Sequence, residues 1–349
     1  MTAPFSFVLP EELSAKEPPE QRGMARDAVR LMVIDRGTAA VNHARFNQLG
    51  EFLRPGDLLV FNSSRTLPAV LASCETSTGA CVQIRLAHHL PDGSWLALLL
   101  CQNGEPFACG LRSGMRIQLT EHLFATVGDR DVRIPRLWHL RFSQSGAEFM
   151  QSLYRIGQPI RYEYVSAAWA LDAYQTVYAR EPGSAEMPSA GRAFTWQLLF
   201  DLKRQGIDMT QIVLHTGLSS YMDDDLDVQH PASEEEYLIP DRAAAKIQQT
   251  RQAGGRIIAV GTTVVRALES VVDAQGKIAA GQGYTRLHIT ANHPLKAIDG
   301  LLTGLHEPEA SHLDLLTAFL PAPVIHAAYE KAVRMGYLWH EFGDLNLII

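Results

Sequence analysis

Between Thr66 and Phe142 the chain breaks into six short apolar stretches: "AVLASCE", "ACVQIRLAHHL", "SWLALLL", "MRIQL", "LFATVGD" and "LWHLRF". Turn-forming pieces such as "STGA", "LPDGS", "QNGEP" and "LRSG" separate them. No helical period longer than two turns runs through this window, and it contains no lysine. Short strands joined by Gly-rich turns have to pair with one another to satisfy their backbones, so the window predicts a small barrel or sandwich.

The flanks read differently. "PDRAAAKIQQTRQAGG" predicts a helix beginning near Asp241 and ending at Gly254. "RIIAVG" follows as a buried strand and "TTVVRALESVV" as a second helix, the α–β–α texture of an α/β domain. "LMVIDR" and "GDLLVFN" before the window read as strands. "GAEFMQSLYRIG" and "APVIHAAYEKAVRMG" after it read as helices, and "LNLII" as a closing strand. The expected architecture is an α/β main domain built from both ends of the chain, residues 1–65 plus 145–349. Residues 66–144 form an inserted all-β barrel-like domain. The 349 residues suffice for both.

Composition narrows the function classes. With 46% hydrophobic and 20% charged residues the chain reads as soluble and globular. A net charge of −7 argues against a generally basic nucleic-acid-coating protein but leaves room for a local basic cleft. No apolar run is long enough to cross a bilayer, and "MTAPFSFVLPEELSAKEPPEQRG" lacks the pattern of a secretory signal, so a cytoplasmic location is expected. Cys74, Cys81, Cys101 and Cys109 fall close together but without the short spacing of a zinc knuckle. They are expected to be small buried residues on strands, and no metal is expected.

Several stretches carry candidate chemistry. In "EMPSAGRAFTWQLLFDL", Thr195 is a plausible N-cap, and Phe194 and Leu199 are spaced as a hydrophobic staple; Gly206 closes the helix. The preceding Pro188-Ser189-Ala190-Gly191 turn either presents backbone N–H groups to a ligand or only connects. In "RIIAVGTTVVRALES" a buried strand ends at Gly261, and Thr262-Thr263 open a helix. They serve either as a ribose or carboxylate site or as an ordinary threonine N-cap. His215 stands where a strand emerges, ahead of Gly217. The following Asp223, Asp224, Asp225, Asp227 and His230 lack the ligand spacing of a calcium loop and read as a solvated acidic loop. His306 and His312 do not form H-E-x-x-H, and Ser311 is a possible helix cap. No G-x-S-x-G elbow, P-loop or G-x-G-x-x-G fingerprint occurs.

Taken together, the chain resembles the S-adenosylmethionine:tRNA ribosyltransferase-isomerases of queuosine biosynthesis, the QueA family. The likeness runs nearly end to end: "LPEEL" at 9–13, "RLMVIDR" at 30–36, "LRPGDLLVFNSSRTLPAVL" at 53–71, "YQTVYAREPGSAEMPSAGRAFT" at 174–195, "AVGTTVVRALES" at 259–270, "DGLLTGLHEP" at 299–308 and "GDLNLII" at the end. The resemblance implies an α/β domain with an inserted β-barrel and a cleft containing the Pro188–Gly191 turn. It implies transfer of the ribosyl part of S-adenosylmethionine to the aminomethyl nitrogen of a 7-deazaguanine in a tRNA anticodon. Adenine and methionine leave, and the ribose rearranges to the epoxycyclopentane of epoxyqueuosine. No metal is implied, and the chain is expected to act as a monomer without a membrane.

Such chemistry needs a base for the C–H next to the sulfonium, hydrogen bonds for departing adenine, and a neutral amine held close. His215 is the expected base, with His306 as alternative. Asn62, Arg65, Pro188, Ser189, Ala190, Gly191, Gly217, Glu235, Gly261, Thr262, Thr263 and Arg266 are the expected substrate contacts. Departures from the family pattern gather at the cleft. Its histidine is Ala193 here, the Leu before it is Arg192, its second glycine after His215 is Ser219, and the second histidine of its H-x-M-H-S-E pattern is Ser233. They leave open a diverged paralogue that binds S-adenosylmethionine but modifies another acceptor, or a non-catalytic nucleoside- or RNA-binding protein.

Overall fold

The computed structural model describes residues 7–76, 79, 81–101, 105, 111–162, 164–165, 167–222, 234–308 and 311–349, with the side chains of 73–76 and 311 left out. In chain order the first strands are β1 (Arg30–Ile34), β2 (Val41–Arg45), β3 (Leu58–Asn62) and the short β4 (Ser64–Thr66). The window singled out above then supplies β5 (Val70–Thr76), β6 (Cys81–His89), β7 (Trp95–Leu100), β8 (Arg116–Gln118), β9 (Phe124–Arg130) and β10 (Leu137–Phe142). The remaining strands are β11 (Glu181–Ser184), β12 (Asp208–Leu214), β13 (Glu235–Ile239), β14 (Ile257–Val260), β15 (Gly281–Thr285), β16 (Gly300–Gly304) and β17 (Leu345–Ile348).

β5 to β10 pair only antiparallel with one another and close a barrel in the order β10-β7-β6-β5-β8-β9. Alternation along β6 and β9 turns one face inward, and closure removes the exposed edges. The helix α1 (Gly146–Ile156) lays Phe149 and Leu153 into the same apolar cluster.

Nine of the other strands form a mixed sheet, ordered β15-β13-β12-β3-β14-β16-β17-β1-β2, and β4 and β11 pair in a separate parallel two-stranded sheet. Its middle is parallel: β12 pairs with β3, β3 with β14, and β14 with β16. β3 ("LLVFN") and β14 ("IIAV") are apolar and buried throughout because both faces of the sheet are covered. On one face α2 (Trp196–Arg204) contributes Leu198, Leu199 and Leu202 to a cluster with Leu59, Phe61 and Phe194. Thr195 caps it, its Oγ1 accepting from the Leu198 N–H at 3.1 Å, and Gly206 follows at φ +82°. On the other face lie α3 (Asp241–Gln252), α4 (Thr262–Val271) and α6 (Ala322–Arg334), α5 being the short Ser311–Leu316. None of the helices among the described residues is long and apolar enough to cross a membrane.

Two local expectations need correction, and one strand was not expected at all. The N-cap of α4 is Gly261 at φ +99°, not a threonine; Thr262 is already helical. The strand β16 is Gly-rich and only five residues long, and nothing in "GLLTG" announces it until β14 and β17 pair with it. Cys81 is an exposed free thiol rather than a buried one, and Cys101 is half-buried and also free. Cys109 and the side chain of Cys74 lie outside the described residues, as do Asp223, Asp224, Asp225, Asp227, His230 and Ser233.

Candidate active site

The four parallel strands β12, β3, β14 and β16 deliver their carboxyl ends to one edge, where α/β sheets gather ligands. A cavity of about 160 Å³ opens there. The exit of β14 supplies Gly261, Thr262 and Thr263 at the start of α4, and the exit of β12 supplies Thr216 and Gly217. Thr303, inside β16, and His306, just beyond it, stand beside them. The turn Pro188-Ser189-Ala190 closes another side, so stretches far apart in sequence meet in one place. Glu235 and Arg266 complete it but face each other: they form an ion pair, and the Arg266 Nε also donates to the Leu287 carbonyl at 3.0 Å.

Four expected residues lie elsewhere. Gly191 is behind the turn: a Cβ there would come 1.9 Å from the Tyr178 hydroxyl, so glycine is needed for packing rather than for ligand approach. Asn62 is spent on the sheet, donating to the Leu214 carbonyl at 2.8 Å and accepting from the N–H groups of Leu214 and Ser64 at 3.0 Å. Arg65 sits in β4 opposite Pro182 and is outside the cavity lining. His215, the expected base, lines a second cavity of about 540 Å³ instead. Its Nδ1 meets Ser64 Oγ at 2.8 Å, and burial pushes its pKa down to about 4.

His306 remains in the first cavity, with its Nε2 at 3.0 Å from Thr303 Oγ1 and its ring stacked on His312, centroids 4.3 Å apart. Burial, with His340 nearby, takes its pKa down to about 4. It is therefore neutral at pH 7, a hydrogen-bonding group and a weak base.

Two carboxylates that sequence reasoning did not single out complete the lining. Glu186 accepts from Tyr162 Oη at 3.0 Å, from the Ser219 N–H at 2.8 Å and from Ser219 Oγ at 3.0 Å. Burial still raises its pKa above the ordinary range, outweighing these bonds. Glu341 differs. Its Oε2 is shut from solvent and has no hydrogen-bond partner among the described residues. Burial pushes its carboxyl up to about 7, against a smaller opposing effect of its own backbone N–H. A buried carboxylate with one orphaned oxygen and a pKa near neutrality is poised to accept a proton. The only signal in the sequence was an acidic residue just ahead of "GDLNLII".

A helix start, backbone turns and acid–base groups converging at the ends of parallel strands define an α/β enzyme with its site outside the sheet. The chain belongs to the family described as "Queuosine biosynthesis protein", which it matches over residues 2–348. It is 38% identical to the S-adenosylmethionine:tRNA ribosyltransferase-isomerase of Trichlorobacter lovleyi, covering 99% of this chain and 98% of the relative. It is 37% identical, with the same coverage, to the protein of that name from Symbiobacterium thermophilum. Among solved structures it is similar to the S-adenosylmethionine tRNA ribosyltransferase of Thermotoga maritima. There the TM-score is 0.55 at 29% identity over 99% of this chain and all of that one.

Proposed function

We propose that this chain transfers and isomerises the ribosyl moiety of S-adenosylmethionine onto a 7-aminomethyl-7-deazaguanine in tRNA, yielding epoxyqueuosine, adenine and methionine, in the cytoplasm. Family membership sets the reaction class. The observation that carries the reading to this chain is the orphaned Glu341 carboxylate inside a cavity bounded by the start of α4. The sulfonium acidifies the ribose C–H beside it, and Glu341 is the group to take that proton. The sulfonium charge in turn favours ionised Glu341 when substrate is bound. Gly261, Thr262 and Thr263 present N–H and hydroxyl groups to the ribose or the carboxylate. Neutral His306 offers a hydrogen bond to departing adenine.

The departure at position 193 does not weigh against this. Ala193 is buried in the apolar cluster of Phe194 and Leu198, outside the cavity lining, and Arg192 beside it is tied to Glu20 at 3.0 Å. The proposal takes residues 66–144 as an inserted domain and 1–65 with 145–349 as the catalytic one.

The test incubates purified protein with S-adenosylmethionine, with and without tRNA carrying the aminomethyl deazaguanine. Free adenine and the digested tRNA nucleosides are then measured by mass spectrometry. Adenine release that requires this tRNA, with a matching mass gain in the nucleoside, is the expected result. Adenine formed only with a different acceptor identifies the diverged paralogue, and tight nucleoside binding without adenine identifies a non-catalytic binder.

A further inference from the structure

A third groove shares no lining residue with the two cavities described above, which abut where Gly217 of the first packs against His88 of the second. Its volume of about 370 Å³ falls in the range of small-molecule sites, about 300–1,000 Å³. It lies between α2, Phe61 of β3 and the first half of β12.

The helix α2 gives the first sign of a ligand there. Leu198, Leu199 and Leu202 turn inward, yet Trp196 and Phe200, one turn apart, are left 54% and 60% exposed. Their rings are inclined by only 28° with centroids 6.2 Å apart, so together they form one flat apolar face. The floor of the groove is buried and also aromatic, Phe61 and Tyr178 standing 4.7 Å apart. Adjacent large rings left in water mark a surface that meets something apolar.

Charge narrows what that is. The chain carries a net charge of −7, but the groove is lined by three cations, Arg180, Lys203 and Arg242, and by no carboxylate. Arg180 and Arg242 are exposed, and neither side chain has an ion pair or hydrogen bond among the described residues. Lys203 shares the Asp208 carboxylate with Lys246, which leaves that trio positive. Free guanidinium groups match the geometry of a phosphate with paired N–H donors.

The sheet adds a third element. β13 pairs with β12 only at Val213 and Leu214, so among the described residues no strand covers the edge beside Met209, Thr210 and Gln211. The outward N–H and C=O groups of such an edge, with the Thr210 hydroxyl and the Gln211 amide, can bond the rim of a heterocycle.

We propose that this groove binds a nucleoside monophosphate, its base stacked on Trp196 and Phe200 and its phosphate held by Arg180 and Arg242. The flat apolar face, the bare strand edge and the free guanidinium groups match the base, its polar rim and the phosphate in turn. The volume suits one such unit rather than a run of nucleotides. The site is separate from the reaction assigned above and does not depend on it.

The test titrates the full chain with AMP, adenosine and inorganic phosphate, with and without saturating S-adenosylmethionine. Trp196 is the one exposed tryptophan of five, so its fluorescence reports on the groove. AMP should quench it, whether or not S-adenosylmethionine is present. It should also bind about tenfold or more tightly than adenosine, the worth of a charge-assisted phosphate contact. In calorimetry Trp196→Ala should weaken AMP binding about tenfold, the scale of one stacking partner. Arg180→Gln combined with Arg242→Gln should bring AMP to the level of adenosine. These side chains are exposed, so the variants should melt close to wild type. Equal affinity for AMP and adenosine, displacement of AMP by S-adenosylmethionine, or an affinity that survives both variants overturns the site. So does uptake of a single-stranded oligoribonucleotide without uptake of AMP, which would make the face a nucleic-acid surface. Self-association that Trp196→Ala abolishes, with no AMP bound, would make it a contact between two copies of the chain and overturns the site as well.

Discussion

The two cavities share a wall but are built on different principles. The first is narrow, formed by loops leaving parallel strands, and holds groups with shifted proton affinities: Glu186, Glu341 and His306. The second is roomier and aromatic, and takes much of its lining from the antiparallel barrel. A parallel sheet buried on both faces holds strand exits rigidly, and that precision is what proton transfer requires. A space between two packed units tolerates variation in shape and suits recognition of a bulky partner. The contrast teaches that the groups with shifted proton affinities gather at the sheet's strand exits and the aromatic lining at the barrel.

Glu341→Gln breaks the comparison most sharply. If the first cavity performs the chemistry, adenine release should fall by about 10²–10⁴-fold with S-adenosylmethionine binding retained, the usual worth of a general base. In wild type the acid limb of kcat/KM should lie near pH 7, because Glu341 accepts a proton only above its raised pKa of about 7. The same shift has a stability consequence. The unfolded carboxyl ionises near the ordinary 4.5 and the folded one only near 7, so Glu341 costs stability as pH rises between them. Glu341→Gln should therefore melt higher than wild type at pH 8. A variant with full activity would show that the proton goes elsewhere.

Gly217→Ala attacks the shared wall. A methyl group 2.1 Å from His88 Cε1 forces the ring to move, at about 1–3 kcal/mol. Stability and activity should both drop, whereas Gly254→Ala, with open space around it but strained at φ +77°, should lower stability and leave activity intact. Tyr162→Phe tests the first cavity more gently. It removes the 3.0 Å bond to buried Glu186 and should lower stability by about 1–2 kcal/mol, read from chemical denaturation. A pH effect of a different kind involves one histidine of each cavity and His340 outside both. His215, His306 and His340 have pKa values lowered from 6.5 to about 4, so the unfolded state takes up protons first as pH falls through that interval. The histidine contribution is full above pH 6.5 and is lost toward pH 4, opposed in part by Glu341, and is read as the pH dependence of the melting temperature. Replacing His215 alone should blunt the decline in proportion to its share.

Much of this was legible in the chain. All six barrel strands followed from alternation and turn chemistry, because each is a local pattern of period two punctuated by Gly and Pro. Thr195 as the cap of α2 and the strand–helix junction at Gly261 were equally local. The site was only half legible. Ten expected residues line the first cavity: Pro188, Ser189, Ala190, Gly217, Glu235, Gly261, Thr262, Thr263, Arg266 and His306. Those residues sit on turns and helix starts, whose role is visible from sequence. That His215 lines the second cavity was not legible, because the two sides of a strand exit cannot be told apart without its neighbours. Glu186 and Glu341 were missed because a carboxylate becomes unusual only through what surrounds it.

By itself, then, the sequence determined the two textures, the barrel strands and the elements that end at the site, since hydrophobic period and turn residues act over a few positions. Only the tertiary structure decided which carboxylate is left unpaired, which histidine faces which cavity, and that Gly217 of the first packs against His88 of the second. Burial and proximity are set by the packing of segments from opposite ends of the chain, and no local pattern encodes them.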